Sequence, residues 1–245
     1  MENIKITYLL NSGFMVQIGE LLFLFDDYAD PAAKVKDALA ASGFSRLYVF
    51  VSHAHFDHFD THILDYAGKA RNYIMSNEIK NTKRGKLFPA DKTVYLPEYS
   101  EWADDAITVR SFSSTDTGTS FFVLAKGRKI FHAGDFNWWH WINDTRENQM
   151  LAKNAFMKQM KKLTGLSADV SFFPIDGRLG AAQDMGAKEF CRRTITKSIV
   201  AMHNVGFAPW KPAEDFFAEG REIPYWSPAA PGESMIFSEG KFEKN

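Results

Sequence analysis

Cysteine is almost missing from this chain. Cys191 is the sole one in 245 residues, so no disulfide can form within it. A charge surplus is missing too: 29 Lys and Arg stand against 30 Asp and Glu, and a net charge of -1 sets up no global field for nucleic acid or an anionic membrane. No apolar run approaches the length of a membrane-spanning helix, and Leu21-Leu22-Phe23-Leu24-Phe25 is only strand-sized. The opening Met1-Glu2-Asn3-Ile4-Lys5 lacks the basic region and apolar core of a secretion signal. Together these absences lead to the expectation of a cytoplasmic protein without a membrane partner. Neither a Gly-x-Ser-x-Gly elbow nor a phosphate-cradling P-loop is present, which removes two common catalytic engines. Apolar and aromatic residues, by contrast, are plentiful at 45% and 15%, enough to bury a sizeable core.

The chemistry concentrates in Ser52-His53-Ala54-His55-Phe56-Asp57-His58, directly after the apolar run Leu47-Tyr48-Val49-Phe50-Val51. Imidazole and carboxylate together suit zinc, with iron or manganese as alternatives. In an extended segment, side chains two residues apart point the same way, so His53 and His55 can grip one metal. Asp57 and His58 are adjacent and diverge, which suits a second metal.

Strand signals come first along the chain, at residues 4–10, 14–18 and 21–25, with a polar Gly turn and a Gly-Glu turn between them. Asp26-Asp27 closes this unit. Asp30 and Pro31 then predict a helix start, with the helix running to about residue 41. Residues 47–51 read as a strand buried on both faces. Residues 61–68 suit a short helix, and 72–76 and 93–97 suit strands. Lys80-Asn81-Thr82-Lys83-Arg84-Gly85-Lys86 is the one basic cluster, read as a solvated loop or as a lip for an anionic substrate. From Ile107 the opening order recurs: strand, polar turn with Gly, strand, Gly turn, strand, Asp135. A repeated strand unit predicts two similar sheets packed face to face. Helical patterns follow at 147–163, 181–195 and 213–219. Strands are expected at 170–173, 198–202 and 234–238, the second of these delivering His203. With no internal linker, the expectation is a single α/β domain over 1–245.

Metal-ligand types therefore cluster at three strand ends: the His53 to His58 run, Asp135 and His203. This order, His-x-His-x-Asp-His, then Gly134-Asp135 after a strand, then a strand followed by His203, resembles the metallo-β-lactamase-fold superfamily over nearly the whole chain. The stretches from Phe131 to Trp141 and from Phe173 to Gly180 look like a bacterial branch of hydrolase-like proteins within it. The resemblance implies a four-layer αββα sandwich of two mixed sheets with metals at one edge. It implies His53 and His55 on a first metal, Asp57, His58 and His203 on a second, and Asp135 bridging, with two zinc ions as the cofactor.

One departure stands out. The first metal of that family has a third histidine from the loop before the glycine of the second repeat, and here Ser111-Phe112-Ser113-Ser114-Thr115-Asp116-Thr117-Gly118 holds none. Asp116 can replace it as an oxygen ligand, or shape an Asx-turn instead. Otherwise His140 swings in, or the first site is weak and a single metal remains. His132 is expected as a core or supporting histidine, and His62 as a surface one. Trp138, Trp139 and Trp141 suit a substrate wall, core or an interface, and Asp176 with Arg178 a loop salt bridge, with anion binding by Arg178 as the alternative.

The expected activity is hydrolysis of a small ester, lactone, amide or phosphodiester by a metal-bound hydroxide, with Asp57 or Asp135 orienting the water and moving its proton. A nuclease is disfavoured by the balanced charge. A non-catalytic metal-binding protein is the reading that the missing histidine favours. Di-iron redox chemistry, as in family members coupled to a flavin domain, lacks room for that domain.

Overall fold

The computed structural model describes residues 2–218 and 220–244. Six strands open the chain: β1 (Ile4–Leu10), β2 (Gly13–Ile18), β3 (Leu21–Phe25), β4 (Arg46–Val51), β5 (Ala70–Ser76) and β6 (Thr93–Leu96). Four more follow as β7 (Glu101–Ala103), β8 (Ile107–Ser113), β9 (Thr119–Ala125) and β10 (Arg128–His132). The remainder are β11 (Ser167–Ala168), β12 (Val170–Pro174), β13 (Ile195–Thr196), β14 (Ile199–Met202), β15 (Tyr225–Trp226), β16 (Ser234–Ser238) and β17 (Lys241–Lys244). One sheet runs β17-β16-β1-β2-β3-β4-β5-β6, the other β15-β14-β12-β10-β9-β8-β7, and β11 pairs with β13 apart from both. The doubled unit read from the sequence recurs in this topology. β1–β2–β3 and β8–β9–β10 are antiparallel, and each then continues in parallel, β3 beside β4 and β10 beside β12.

Alternation along the strands sorts the layers. In β3 and β4, Leu22, Leu24, Leu47, Val49 and Val51 face outward, under Val35 of helix α1 (Lys34–Ala41). Phe23, Phe25, Tyr48 and Phe50 face inward, where they join the second sheet's core. The inner faces meet ring on ring, with Phe14 on Phe172 at 4.6 Å and Phe50 on Phe121 at 5.4 Å. On the far side of the second sheet, helices α2 (Arg146–Leu163) and α3 (Met185–Arg193) cover it, Phe190 stacking on Phe131 at 5.2 Å and Phe156 on Phe136 at 5.0 Å. Each such ring contributes about 1.5–3 kcal/mol when fully buried. The architecture is the α/β four-layer αββα sandwich. Among the described residues, no helix is long and apolar enough to cross a membrane.

Three helical expectations need correction. α1 begins at Lys34, because Ala33 adopts a left-handed backbone (φ 54°); Asp30 still caps it from outside, accepting from Val35 N at 2.7 Å. The 181–195 pattern breaks at Gln183-Asp184, where Asp184 leaves helical geometry (φ -118°, ψ 8°), between a 3₁₀ segment (Gly177–Ala182) and α3. Residues 213–218 form turns, because Phe216 packs onto Trp210 and a segment this short gains too little from helical hydrogen bonds; Glu219 lies outside the described residues.

Candidate metal centre

Both sheets deliver side chains to one edge. β4 is flanked by β3, so Asp26, which follows Phe25, lies beside the start of the histidine loop; its Oδ1 accepts from Ser52 N at 2.7 Å and its Oδ2 from Ser52 Oγ at 2.6 Å. In the second sheet, β10, β12 and β14 run parallel in register. Their ends therefore place Asp135, Asp176 and His203 at the same edge. The hairpin loop between β8 and β9 brings Asp116. Thr119 N donates to Ser52 O at 3.0 Å and ties that loop to β4.

The ligand types fall into two groups whose donor atoms lie within 4.8 Å of one another: His53, His55, Asp116 and Asp135 in one, Asp57, His58 and His203 in the other. Asp135 sits between them. Its Oδ1 lies 3.2 Å from His58 Nε2 and 3.6 Å from His203 Nε2, and its Oδ2 lies 3.5 Å from His53 Nε2. His58 Nε2 and Asp135 Oδ1 are buried, face each other, and have no hydrogen-bond partner among the described residues. Their 3.2 Å approach is an ion pair without hydrogen-bond geometry, so each buried atom keeps an unfilled place that a shared cation would occupy. The residues thus fit a metal, and the donor set suits zinc, iron or manganese.

Electrostatics agree with that fit. Burial pushes the His53 imidazole down to about 4, so it is neutral and able to coordinate near pH 7. Burial alone would raise the Asp135 carboxyl, yet His58, His203 and His53 hold it well below the ordinary carboxylate range. For His58, burial opposes protonation but is outweighed by Asp135 on one side and Asp26 on the other, so its pKa rises well above 6.5. Carboxylates on both sides of an imidazole call for a positive charge between them.

Residues behind the ligands fix their orientation. Asp26 Oδ2 lies 2.7 Å from His58 Nδ1, and Asp176 Oδ2 lies 3.0 Å from His203 Nδ1, each directing the opposite nitrogen to the centre. Burial would raise Asp176, but bonds from His203 and Arg178 bring it to about 2. Asn11 Nδ2 donates to Asp57 Oδ2 at 3.1 Å, and Asn11 O accepts from His203 N at 3.1 Å. Asn11, Asp26 and His203 all adopt positive φ (54°, 45° and 64°), strain kept where placement matters. Sequence reading does not single out Asn11 or Asp26, and it gives Asp176 only as the partner of Arg178. The doubled strand unit held the signal for Asp26, since it ends the first repeat as Asp135 ends the second.

Within the basic cluster Lys80, Lys83 and Lys86 are exposed, as a solvated loop requires, but Arg84 turns inward. Arg84 donates to the carbonyls of Ala54 and Phe59, on either side of His55, Asp57 and His58, and its guanidinium lies 4.7 Å from the Phe59 ring centroid. Glu78 Oε1 accepts from Ala54 N at 2.7 Å. The pair clamps the ligand loop; Arg84→Met is expected to weaken metal affinity about tenfold, read by competition with a chromophoric chelator, and an unchanged affinity would remove Arg84 from this role.

The remaining histidines behave differently. His132 is fully buried, stacks on Phe25 at 5.0 Å and reaches Ser12 O at 2.9 Å, a core residue. His140 joins neither ligand group and lies edge-on to Trp138. His62 sits 3.5 Å from Asp27 and 3.1 Å from Asp60, and its bond to Asp27 raises its pKa above 6.5. Stability from a raised histidine is complete below the unfolded value and lost as pH rises through the folded one. His62→Asn is therefore expected to lower the Tm more at pH 6 than at pH 9; equal losses would contradict this pairing.

Above the ligands lies an open cleft of about 590 Å³. Phe56, Trp139, Trp141 and Arg178 line it together with His55, Asp57, Asp116, Asp135 and His203. Trp138 instead stacks on Phe156 in the core. The carboxylate of Asp116 accepts no hydrogen bond from the described residues and lies 3.8 Å from His55 Nδ1, so the Asx-turn alternative is not formed.

The fold is the metallo-β-lactamase fold. No protein-family model matches the chain, and no curated protein does. Among solved structures it is similar to Igni18, a metallo hydrolase from the hyperthermophilic archaeon Ignicoccus hospitalis, at 19% identity and a TM-score of 0.68, over 96% of this chain and 99% of that one. It is also similar to the metallo-β-lactamase-fold protein YhfI from Bacillus subtilis, at 12% identity and a TM-score of 0.58, over 97% and 100%. CmlA, a diiron β-hydroxylase from Streptomyces venezuelae, matches at 12% identity and a TM-score of 0.51, over 83% of this chain and 45% of that one.

Proposed function

We propose that this chain is a metal-dependent hydrolase of a small ester, lactone, amide or phosphodiester, holding two zinc ions. The carrying observation is the buried, unpaired facing of His58 Nε2 and Asp135 Oδ1 at the floor of an open cleft. His53, His55, Asp116 and Asp135 would hold one ion, and Asp57, His58, His203 and Asp135 the other. The bound metal supplies Lewis-acid charge and an activated water at neutral pH.

The chain's own residues do the rest. Asp135 stays ionised, and Asp26 and Asp176 hold His58 and His203 in one tautomer and orientation. Asp57, about a quarter exposed and steadied by Asn11, is placed to accept a proton from the attacking water and return it to the leaving group. A cleft of 590 Å³ suits a small molecule. Among the described residues a nucleic-acid backbone would meet one cation there, Arg178, among several carboxylates, which disfavours a nuclease. Metal-free protein reloaded with zinc, manganese or iron and tested on an aryl ester, a lactone, an anilide and bis(4-nitrophenyl) phosphate should show metal-dependent turnover on at least one. Stoichiometric metal with no turnover on any would make this a metal-binding protein instead.

A further inference from the structure

Three exposed features of the cleft take no part in the hydrolytic chemistry above. Phe56, inside the ligand loop itself, is 81% exposed, although the clamp on that loop leaves no need for it in the core. A phenyl ring held in water forgoes about 1.5–3 kcal/mol of burial, which only a covering ligand would recover. Trp139 and Trp141 lie with their rings 11° from parallel, and Trp139 Nε1 donates to Asp135 O at 3.1 Å. The indole wall is thereby fixed to the backbone of the central carboxylate, and Trp139 also contacts the edge of His203 at 5.7 Å. Finally, the Arg178 guanidinium sits 5.7 Å from the Trp141 ring centroid and is held through Nε and Nη2 by Asp176. These contacts leave Nη1 without a hydrogen bond to the described residues.

Resting on the hydrolytic reading above, we infer that the substrate carries a planar aromatic ring and a carboxylate or phosphate, the ring covering Trp139, Trp141 and Phe56 and the anion meeting Arg178. An aromatic face is the surface that two near-parallel indoles, 6.4 Å apart, recognise best, through offset or edge contacts. The guanidinium already lies in a fixed plane, so an oxyanion binds it with little further loss of side-chain freedom. Charge favours the same class. Among the described residues Arg178 is the one lysine or arginine lining the cleft, and bound divalent ions would add positive charge beside it. Asp176 couples the two ends of the arrangement, since it holds Arg178 and orients His203.

Calorimetry on the metal-loaded protein tests this with ligands that cannot be hydrolysed by it: 2-naphthoate, its neutral analogue methyl 2-naphthyl ketone, and cyclohexanecarboxylate. The expected result is 2-naphthoate binding at least tenfold tighter than either of the others. Arg178→Gln should erase the preference for charge and keep the preference for the ring, and Trp141→Leu should do the reverse. Equal binding of the three, or a charge preference that survives Arg178→Gln because a metal takes the carboxylate, would overturn the inference. Turnover has no part in this readout. A protein that binds 2-naphthoate in this pattern and hydrolyses nothing would sink the hydrolase alone, and a hydrolase indifferent to ring and charge would sink the inference alone.

Discussion

Asp135→Asn is expected to empty both metal positions and cut hydrolysis by about 10³-fold or more, the several kcal/mol that a metal supplies to such a reaction. The substitution keeps the shape of the side chain, so packing around Phe136 and Ala133 is preserved while the charge is lost. What remains is an amide between His53, His58 and His203, whose Nε2 atoms lie 3.5, 3.2 and 3.6 Å from the carboxylate oxygens. A neutral amide cannot serve two cations at once. Metal analysis after gel filtration, together with turnover on the best substrate of the panel, reads both losses. Two retained ions with near-normal turnover would show that Asp135 is not shared.

Gly118→Ala is expected to cost about 3 kcal/mol and to displace the His53 side of the site. The residue has φ +71°, a conformation that costs an L side chain about 1–2 kcal/mol. An added Cβ would also stand 2.1 Å from Ser52 O and 2.5 Å from His53 Cβ, so the hairpin loop must lift off β4. Lifting it breaks the Thr119 N to Ser52 O bond, worth about another 1 kcal/mol. At this chain length the Tm should fall by about 6–12 °C. Gly127→Ala is the control, because φ is similar (+74°) but nothing lies within 4 Å. If both variants lose equally, the close approach of the loop to Ser52 is not what fixes the site.

Much of this arrangement could be read along the chain. The buried strands are legible because apolar-rich runs such as 47–51 and 198–202 are bounded by turn residues, and strand ends announce the histidine loop, Asp135 and His203. The doubled strand unit foretold two facing sheets. Partners across the fold are what linear reading misses. Asp26 resembles any strand-ending aspartate until β3 is seen beside β4, and Asp176 looks like half of a local pair with Arg178 until β12 and β14 place it under His203. Arg84 shows the same limit in reverse: within a run of lysines it looked like solvated charge, and its guanidinium instead fills the carbonyl ring behind the ligand loop. The readings of Asp116, His140 or a weak first site stay level along the chain for the same reason, since only folding of the β8–β9 loop onto Ser52 brings Asp116 near His55.

The first site, where Asp116 stands in place of the histidine that the resemblance implies, decides the central claim. Crystals of the zinc-loaded protein, measured on either side of the zinc absorption edge, test it directly. The account predicts two anomalous peaks flanking Asp135, one among His53, His55 and Asp116 and one among Asp57, His58 and His203, with Asp116→Ala removing or weakening the first alone. A single peak at Asp57, His58 and His203, unchanged by Asp116→Ala, would contradict it.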